Sequence, residues 1–469
     1  MSDDHSVQSG RSFVGHPRGL GYIVFTDVWE KFSYFGMQTL LVLYMIDELL
    51  RPQHVGRVAG FEVFRGTLER VYGGPLSTVA LASAVFGLYS GLAFLTPIVG
   101  GVVADRWWGR TRTIVTGALL MTVGHFLMAI DVTFLIALLC LLTGVGCFKG
   151  NLASQIGALY APDDPRRAAG YQIYYLCVSC ANIIAPLIAG TLGELYGWHY
   201  GFAAAGAGML ISICIYLSGR RYLPREPTAP RQSVSRRTPL TAEERRSVVA
   251  LIALLPVLAI GAVGNEQIFN AYLVWVPANV DLVFHGFRMP TTWIITIDAL
   301  VAVAAIAGSV AFWRRWGRTR PEPSELAKIT LGLAITTLGL LSLAMAAASA
   351  GHGQRAGLGW LLAFEVLNGI GWANIYPVGL AFYARAAPAA VSGTMIGVFY
   401  LHLFFSNNLV GWLGGLLERV SGSQFWLLHA ALVAAATACM GAATWLLRRR
   451  FGVSVPDARE ADPMRIDQR

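Results

Sequence analysis

The chain has 469 residues, of which 55% are hydrophobic and only 13% charged, with a formal net charge of +9. Soluble globular proteins carry about a quarter of their residues as Asp, Glu, Lys and Arg, so the composition excludes a soluble enzyme and points to a protein built in the membrane. β-Barrel spans are short and alternate apolar with polar positions; the runs here are continuous and rich in Leu, Ala and Gly, so the expected class is all-α and polytopic.

A helix needs about 20 apolar residues to cross the ~30 Å hydrocarbon core. Twelve such stretches lie near 20–48, 76–104, 111–130, 133–160, 168–194, 199–218, 246–277, 290–313, 325–349, 357–384, 389–417 and 424–447. The first apolar run is too long, and too charged within, to be a cleaved signal peptide. The longest break, rich in Arg, Pro and Ser, divides the chain into a six-helix bundle at 1–218, a linker at 219–245, a second six-helix bundle at 246–450 and a tail at 451–469. Most of the 36 Lys and Arg residues fall in the loops of one side if both termini lie inside. The positive-inside rule therefore places the termini and the linker in the cytoplasm of an integral plasma (inner) membrane protein. Basic loops beside anionic headgroups also account for the net positive charge, so no nucleic-acid partner is expected.

The first span contains DVWEKFSYFG at 27–36. Each charge at the bilayer centre costs at least ~2.5–3.5 kcal/mol on insertion scales. Asp27, Glu30, Lys31 and Tyr34 follow an i, i+3, i+4, i+7 pattern, so they share one helix face. Such a stripe faces a bundle interior or a water-filled cavity. It serves either as a static salt bridge that aligns helices or as a site that takes up and releases a proton; apolar packing would do the first job at lower cost. After the second span comes GGVVADRWWGRTR, and RWWGRTR (106–112) returns as RRWGRTR (314–320) after the eighth. The repeat sits at corresponding places in the two halves, as expected of parallel repeats about an axis normal to the membrane.

In the fourth span Lys149 stands with Asn151 and Gln155, and in the fifth Ser179 lies between Cys177 and Cys180, whose CxxC spacing reads as packing. Glu266 and Gln267 occur in the seventh, Asp298 in the eighth, and Glu365 and Trp372 in the tenth. His125, His402 and His429 are isolated, and Asn407 and Asn408 suit interhelical hydrogen bonds. There is no nucleotide-binding Gly-rich loop, no paired set of metal ligands and no nucleophile with its base, so neither an enzyme nor a primary pump is expected, and no cofactor.

Several of these segments resemble one family. DVWEKFSYFG is similar to the E-x-x-E-R-F-x-Y-Y-G signature of proton-dependent oligopeptide transporters, with Asp27 for the first Glu, Glu30 kept, Lys31 for Arg and Phe35 for Tyr. GCFKGNLASQIGALY resembles the family's F-K-P-N segment with Lys149 at the lysine. YYLCVSCANIIAPLIAGTLGELYGWHYGF, NEQIFN and YPVGLAFYARAAP resemble its fifth- and sixth-, seventh- and tenth-helix segments, in order along nearly the whole chain.

The resemblance implies a major facilitator superfamily fold and a symporter importing di- and tripeptides with protons by alternating access. It implies proton coupling at Asp27, Glu30, Lys149, Glu266 and Asp298, with Lys149 pairing with Glu30. Substrate contacts would come from Lys31, Tyr34, Lys149, Asn151, Ser179, Asp298 and Trp372, and a cytoplasmic gate from Asp105, Arg106, Gly109 and Arg110; that gate cluster also suits a plain positive-inside anchor. The expected partners are a peptide-like substrate, protons as coupling ion and membrane lipid.

The departures concern the pocket: Phe35 and Phe94 stand where the family has Tyr, Ser179 where it has Asn, Asp298 where it usually has Asn, and Trp372 where the tenth helix has the Glu that receives the peptide's amino group. Asp298 or Glu365 would restore that negative charge. Two alternatives stay open: a proton-coupled carrier of a modified peptide or other organic anion, and a non-transporting nutrient sensor.

Overall fold

The computed structural model describes residues 12–161, 164, 166–224, 240–350 and 354–451. The linker expected at 219–245 falls outside the described residues over 225–239, and the expected tail does so from 452 onwards. The chain folds as α1 (Arg18–Tyr44), α2 (Pro52–Val55), α3 (Phe61–Val71), α4 (Thr78–Val103), α5 (Arg110–Leu127), α6 (Phe134–Ala158), α7 (Arg166–Ala185), α8 (Trp198–Gly219), α9 (Ala242–Glu266), α10 (Ala271–Asn279), α11 (Trp293–Trp316), α12 (Glu325–Ser349), α13 (Leu358–Ala386), α14 (Ser392–Gly414) and α15 (Gly422–Phe451). A two-stranded hairpin, β1 (Val283–Phe284) and β2 (Phe287–Arg288), precedes α11. It turns at His285 and Gly286, both at positive φ, the geometry that tight hairpins favour.

Among the described residues, nine helical stretches are long and apolar enough to cross a membrane. The other three expected spans are the helices α1, which its three charges interrupt, α5 and α13. The seventh span is α9 and α10 together, broken by one 3₁₀ turn at Gln267–Phe269. Local chemistry explains the break. Gln267 Oε1 accepts the Ala271 N–H at 3.2 Å, so a side chain replaces a helical carbonyl. The amides of Gln267 and Asn270 both donate to the Val410 carbonyl, at 3.4 and 3.2 Å. The loop expected between the first two spans contains a helix of its own, α3, whose Phe61 and Leu68 are buried while its other face is largely exposed.

The chain divides into two compact units. The first comprises the described residues within 1–237, 267–300 and 407–419, the second those within 238–266, 301–406 and 420–469. In the first, α4 and α6 cross at backbone contact. An added methyl on Gly100 would lie 2.0 Å from the Gly146 carbonyl oxygen, a small-residue contact of the kind that holds membrane helices together where apolar burial gives no drive. The start of α11 is fixed in the same unit: Glu194 accepts the N–H groups of Thr291 and Thr292 at 2.8 and 2.7 Å, and Trp293 Nε1 donates to Thr191 Oγ1 at 2.8 Å. In the second unit, Tyr383 donates to the Leu251 carbonyl at 2.6 Å and Trp313 Nε1 to Asn374 Oδ1 at 2.8 Å.

Candidate functional site

The charged stripe of α1 is where the first unit concentrates its chemistry. The opposite face of α1 is committed to packing. Ser33 Oγ donates to the Ala205 carbonyl at 2.5 Å, Gly36 backs onto Ala189, and Phe32 lies against Gly208. With that face fixed by α7 and α8, helical periodicity presents Asp27, Glu30, Lys31 and Tyr34 together on the other side. All four are buried or nearly so; the side-chain exposures of Asp27, Glu30 and Lys31 are 2%, 1% and 12%.

Lys31 Nζ lies 3.5 Å from Asp27 Oδ1 and forms a second, closer ion pair with Glu30 Oε2. One lysine is thus shared by two carboxylates. The other oxygens, Asp27 Oδ2 and Glu30 Oε1, are buried and hydrogen-bonded to nothing among the described residues. A buried carboxylate oxygen without a donor is where a proton can bind at least cost, because protonation removes the charge that burial penalises.

Lys149, on α6, supplies the second cation. Its Nζ stands 5.5 Å from the centroid of the Tyr34 ring and 5.0 Å from that of Phe94, within cation–π range of both. Phe94, where the family resemblance expects a tyrosine, offers Lys149 a ring face and no hydroxyl. Phe35, the other phenylalanine in a tyrosine position, meets Tyr34 edge-on at 5.5 Å and stacks on Phe269 at 6.4 Å. This wall of the site is therefore more apolar than the family signature would make it.

The remaining candidates fall in varied surroundings. Asn151 uses its amide to hold helices: Nδ2 donates to Cys147 O at 2.8 Å and to Gly100 O at 3.2 Å. Gln155 bonds Tyr216 at 3.0 Å in a buried pair. Ser179 is half-buried, and its hydroxyl donates to Tyr175 O at 2.9 Å, one turn back on its own helix. Asp298 is half-buried in the first unit, two residues beyond Thr296, whose hydroxyl donates to Ile183 O at 2.9 Å. In the second unit, Glu266 is half-buried at the end of α9, and the ring of Trp372 stacks on Tyr376 at 5.3 Å. Glu365 is 1% exposed.

His402 and His429 each bond the carbonyl of a residue on the preceding turn, Phe399 and Phe425. In the loop after α4, the chain closes a π turn at Ala104–Trp108 and then reverses at Gly109, with φ 75° and ψ 160°, a conformation that only glycine adopts without strain. The reversal brings Arg110 to 3.8 Å from Asp105, while Arg106 stays exposed.

Sequence reasoning missed two features. One is Glu194, the acceptor for the start of α11. The other is a cluster of Glu48, His54, Asp131 and His199 at the ends of four separate elements. No periodicity links residues so far apart, so only the fold reveals them.

The sequence model of the POT family matches residues 111–238 and 231–428 of the chain. The chain is 29% identical over 457 residues to a di-/tripeptide transporter of Lactococcus lactis subsp. lactis, covering 83% of this chain and 88% of that one. It is 26% identical over 472 residues to the uncharacterised transporter YclF of Bacillus subtilis, covering 89% and 91%. In three dimensions it is similar to the crystal structure of a peptide transporter POT in complex with sulfate, with a TM-score of 0.78, 24% identity and coverage of 94% and 96%.

Proposed function

The chain belongs to the POT family, and from that premise we propose that it imports di- and tripeptides across the inner membrane together with protons, both termini lying in the cytoplasm. The observation that carries this reading is the buried α1 stripe, in which Lys31 holds Asp27 and Glu30 while each acid keeps an oxygen with no hydrogen-bond partner among the described residues. A carboxylate so placed can alternate between a cation and a proton. In the empty transporter Glu30 is charged and held by Lys31, with Lys149 standing by over the aromatic rings. Protonation of Glu30 removes one negative charge while Asp27 keeps its hold on Lys31, so the balance of charge around Lys31 and Lys149 shifts toward positive and favours the carboxylate of an incoming peptide. Release of the proton on the cytoplasmic side restores the pairs and expels the substrate. Lys31 grips that carboxylate as a point charge and not as the bidentate fork an arginine makes, so the grip depends more on Lys149 and on the Tyr34 hydroxyl. Asp298 is the acid proposed to receive the peptide's ammonium.

The departures at Phe35, Phe94, Lys31 and Trp372 favour one second reading, a modified peptide or other organic anion as the substrate of the same proton-driven cycle. Purified protein in liposomes with an imposed pH gradient tests both. Accumulation of a labelled tripeptide, competed by other tripeptides and not by their N-acetylated forms, is the result expected of peptide import. Equal competition by the blocked forms would move the assignment to the second reading. No accumulation of either under any gradient would remove transport itself.

A further inference from the structure

We propose that the chain carries a transition-metal site, suited to Zn²⁺, formed by Glu48, His54, Asp131 and His199 and separate from the transport site. The four residues come from the π turn that ends α1, from α2, from the 3₁₀ turn between α5 and α6, and from the first turn of α8. Ligand atoms of Glu48, His54 and Asp131 all lie within 4.8 Å of one another. His199 Nε2 adds a fourth, 3.5 Å from Glu48 Oε1.

The donor set narrows the choice of ion. Two imidazole nitrogens and two carboxylate oxygens suit Zn²⁺, whereas Ca²⁺ and Mg²⁺ take oxygen ligands and softer ions favour thiolates. The spacing agrees. Zinc at about 2.0–2.2 Å from each tetrahedral ligand puts the ligands roughly 3.4 Å apart. The Glu48–His199 contact is already at that separation. The other pair, His54 Nδ1 and Asp131 Oδ2, is hydrogen-bonded at 2.7 Å and must open by under an ångström to admit the ion, while ligand atoms of Glu48, His54 and Asp131, which lie within 4.8 Å of one another, must draw together.

An outer contact is also in place. The Tyr44 hydroxyl donates to Asp131 Oδ1 at 2.8 Å, orienting the carboxylate so that its other oxygen faces His54. Side-chain exposures of 30% for His54, 14% for Asp131, 51% for His199 and 24% for Glu48 leave the cluster open to an ion from solution. Glu48 is fourteen residues beyond Tyr34 on one continuous helical stretch, so the cluster lies roughly 20 Å along the axis from the charged stripe.

A metal held there would tie the ends of α1, α6 and α8 together and stabilise the first unit without entering the transport step. The experiment uses the full-length protein in detergent, freed of any purification tag and stripped with chelator. Zn²⁺ is titrated by calorimetry, thermal unfolding is followed in parallel, Co²⁺ serves as a spectroscopic probe and Mg²⁺ as the control ion. The expected result is one Zn²⁺ equivalent with micromolar or tighter affinity, a rise in unfolding temperature, and a tetrahedral-type visible spectrum with Co²⁺. His54→Gln keeps a hydrogen-bonding side chain for Asp131 and is expected to weaken Zn²⁺ at least tenfold, as is His199→Ala. His285→Ala, in the exposed hairpin, is expected to leave binding unchanged. Absence of binding in the stripped wild type would overturn the proposal, and so would undiminished affinity in the His54→Gln/His199→Ala double variant. Sedimentation of each variant as a monodisperse species keeps a folding defect from passing as loss of the site.

Discussion

Replacing Glu30 with Gln removes the proposed proton carrier while keeping its shape and its ability to accept a hydrogen bond from Lys31. The structure sets the size of the side effect. Lys31 Nζ remains 3.5 Å from Asp27 Oδ1, and unit charges at that separation attract by about 5 kcal/mol, before desolvation, at an effective dielectric of 20. The bond to residue 30 changes from one between charged partners, worth about 1.5–3 kcal/mol, to one with a neutral acceptor, worth about 0.5–1.5. Lys31 is therefore held more loosely by about 1–2 kcal/mol, which the fold tolerates.

The effect on function is far larger. A proton moving down ~100 mV yields ~2.3 kcal/mol, and one pH unit adds ~1.4. One coupled proton thus sustains roughly 500-fold accumulation of a neutral solute. Glu30→Gln is expected to lose that accumulation entirely while still exchanging labelled for unlabelled substrate in counterflow. The assay is uptake into proteoliposomes with and without an imposed gradient, beside counterflow at equal pH. Gradient-driven accumulation within threefold of wild type would refute the reasoning and transfer the proton to Asp27, Glu266 or Asp298.

Lys149→Ala removes the cation above Tyr34 and Phe94, each contact worth ~0.5–2 kcal/mol; gradient-driven uptake is expected to fall more than tenfold, and unchanged uptake would show that Lys149 only packs. Asp298→Asn is expected to weaken inhibition by free-amine tripeptides at least tenfold and by their N-acetylated partners little; equal losses would assign Asp298 to the proton or the fold. Gly100→Ala forces a methyl against the Gly146 carbonyl and is expected to cost ~1–3 kcal/mol, read as a lower unfolding temperature in detergent, whereas Gly101→Ala, with nothing within 4 Å, is the neutral control. Glu69, on α3, is held below the usual carboxylate range by the side-chain hydrogen bond from Arg65 and the N–H of Leu76. Its contribution is therefore present above the ordinary carboxylate range and lost as pH falls through its lowered value, so hydrogen exchange across 61–76 should speed up in acid once intrinsic rates are divided out; constant protection would contradict this.

The fold was legible because the bilayer makes apolar length a strict signal: each expected span met a helix. The α1 stripe was legible for a related reason. Charges in an apolar run have to share a face, and the spacing of Asp27, Glu30 and Lys31 alone defines that face. Partners across helices were harder to read. That Lys149 would stand over Tyr34 and Phe94 depends on how α1, α4 and α6 meet, which their own sequences do not encode. The break at Gln267 was hidden because its cause, a carbonyl at Val410, lies over a hundred residues away. The Glu48, His54, Asp131 and His199 cluster was invisible for the same reason, being made of helix ends and turns that only the bundle gathers.

The internal repeat shows how far identical letters can diverge in three dimensions. Gly109 in the first copy takes φ 75°, which swings Arg110 back to 3.8 Å from Asp105. Gly317, its counterpart, keeps a negative φ and donates to the Trp313 carbonyl at 2.9 Å as a continuation of the helix. The residue just before the repeat differs as well. Where the first copy has Asp105, an acid able to draw Arg110 inward, the second has Trp313, whose indole is committed to Asn374 at 2.8 Å and lies under the Lys328 ammonium at 4.8 Å. The acid of the second loop, Glu322, pairs instead with Lys328 at the start of α12. The two loops share a sequence pattern, but the pair between an acid and the motif's arginine is found in the first, so the gate proposed for the motif is tied to the first copy.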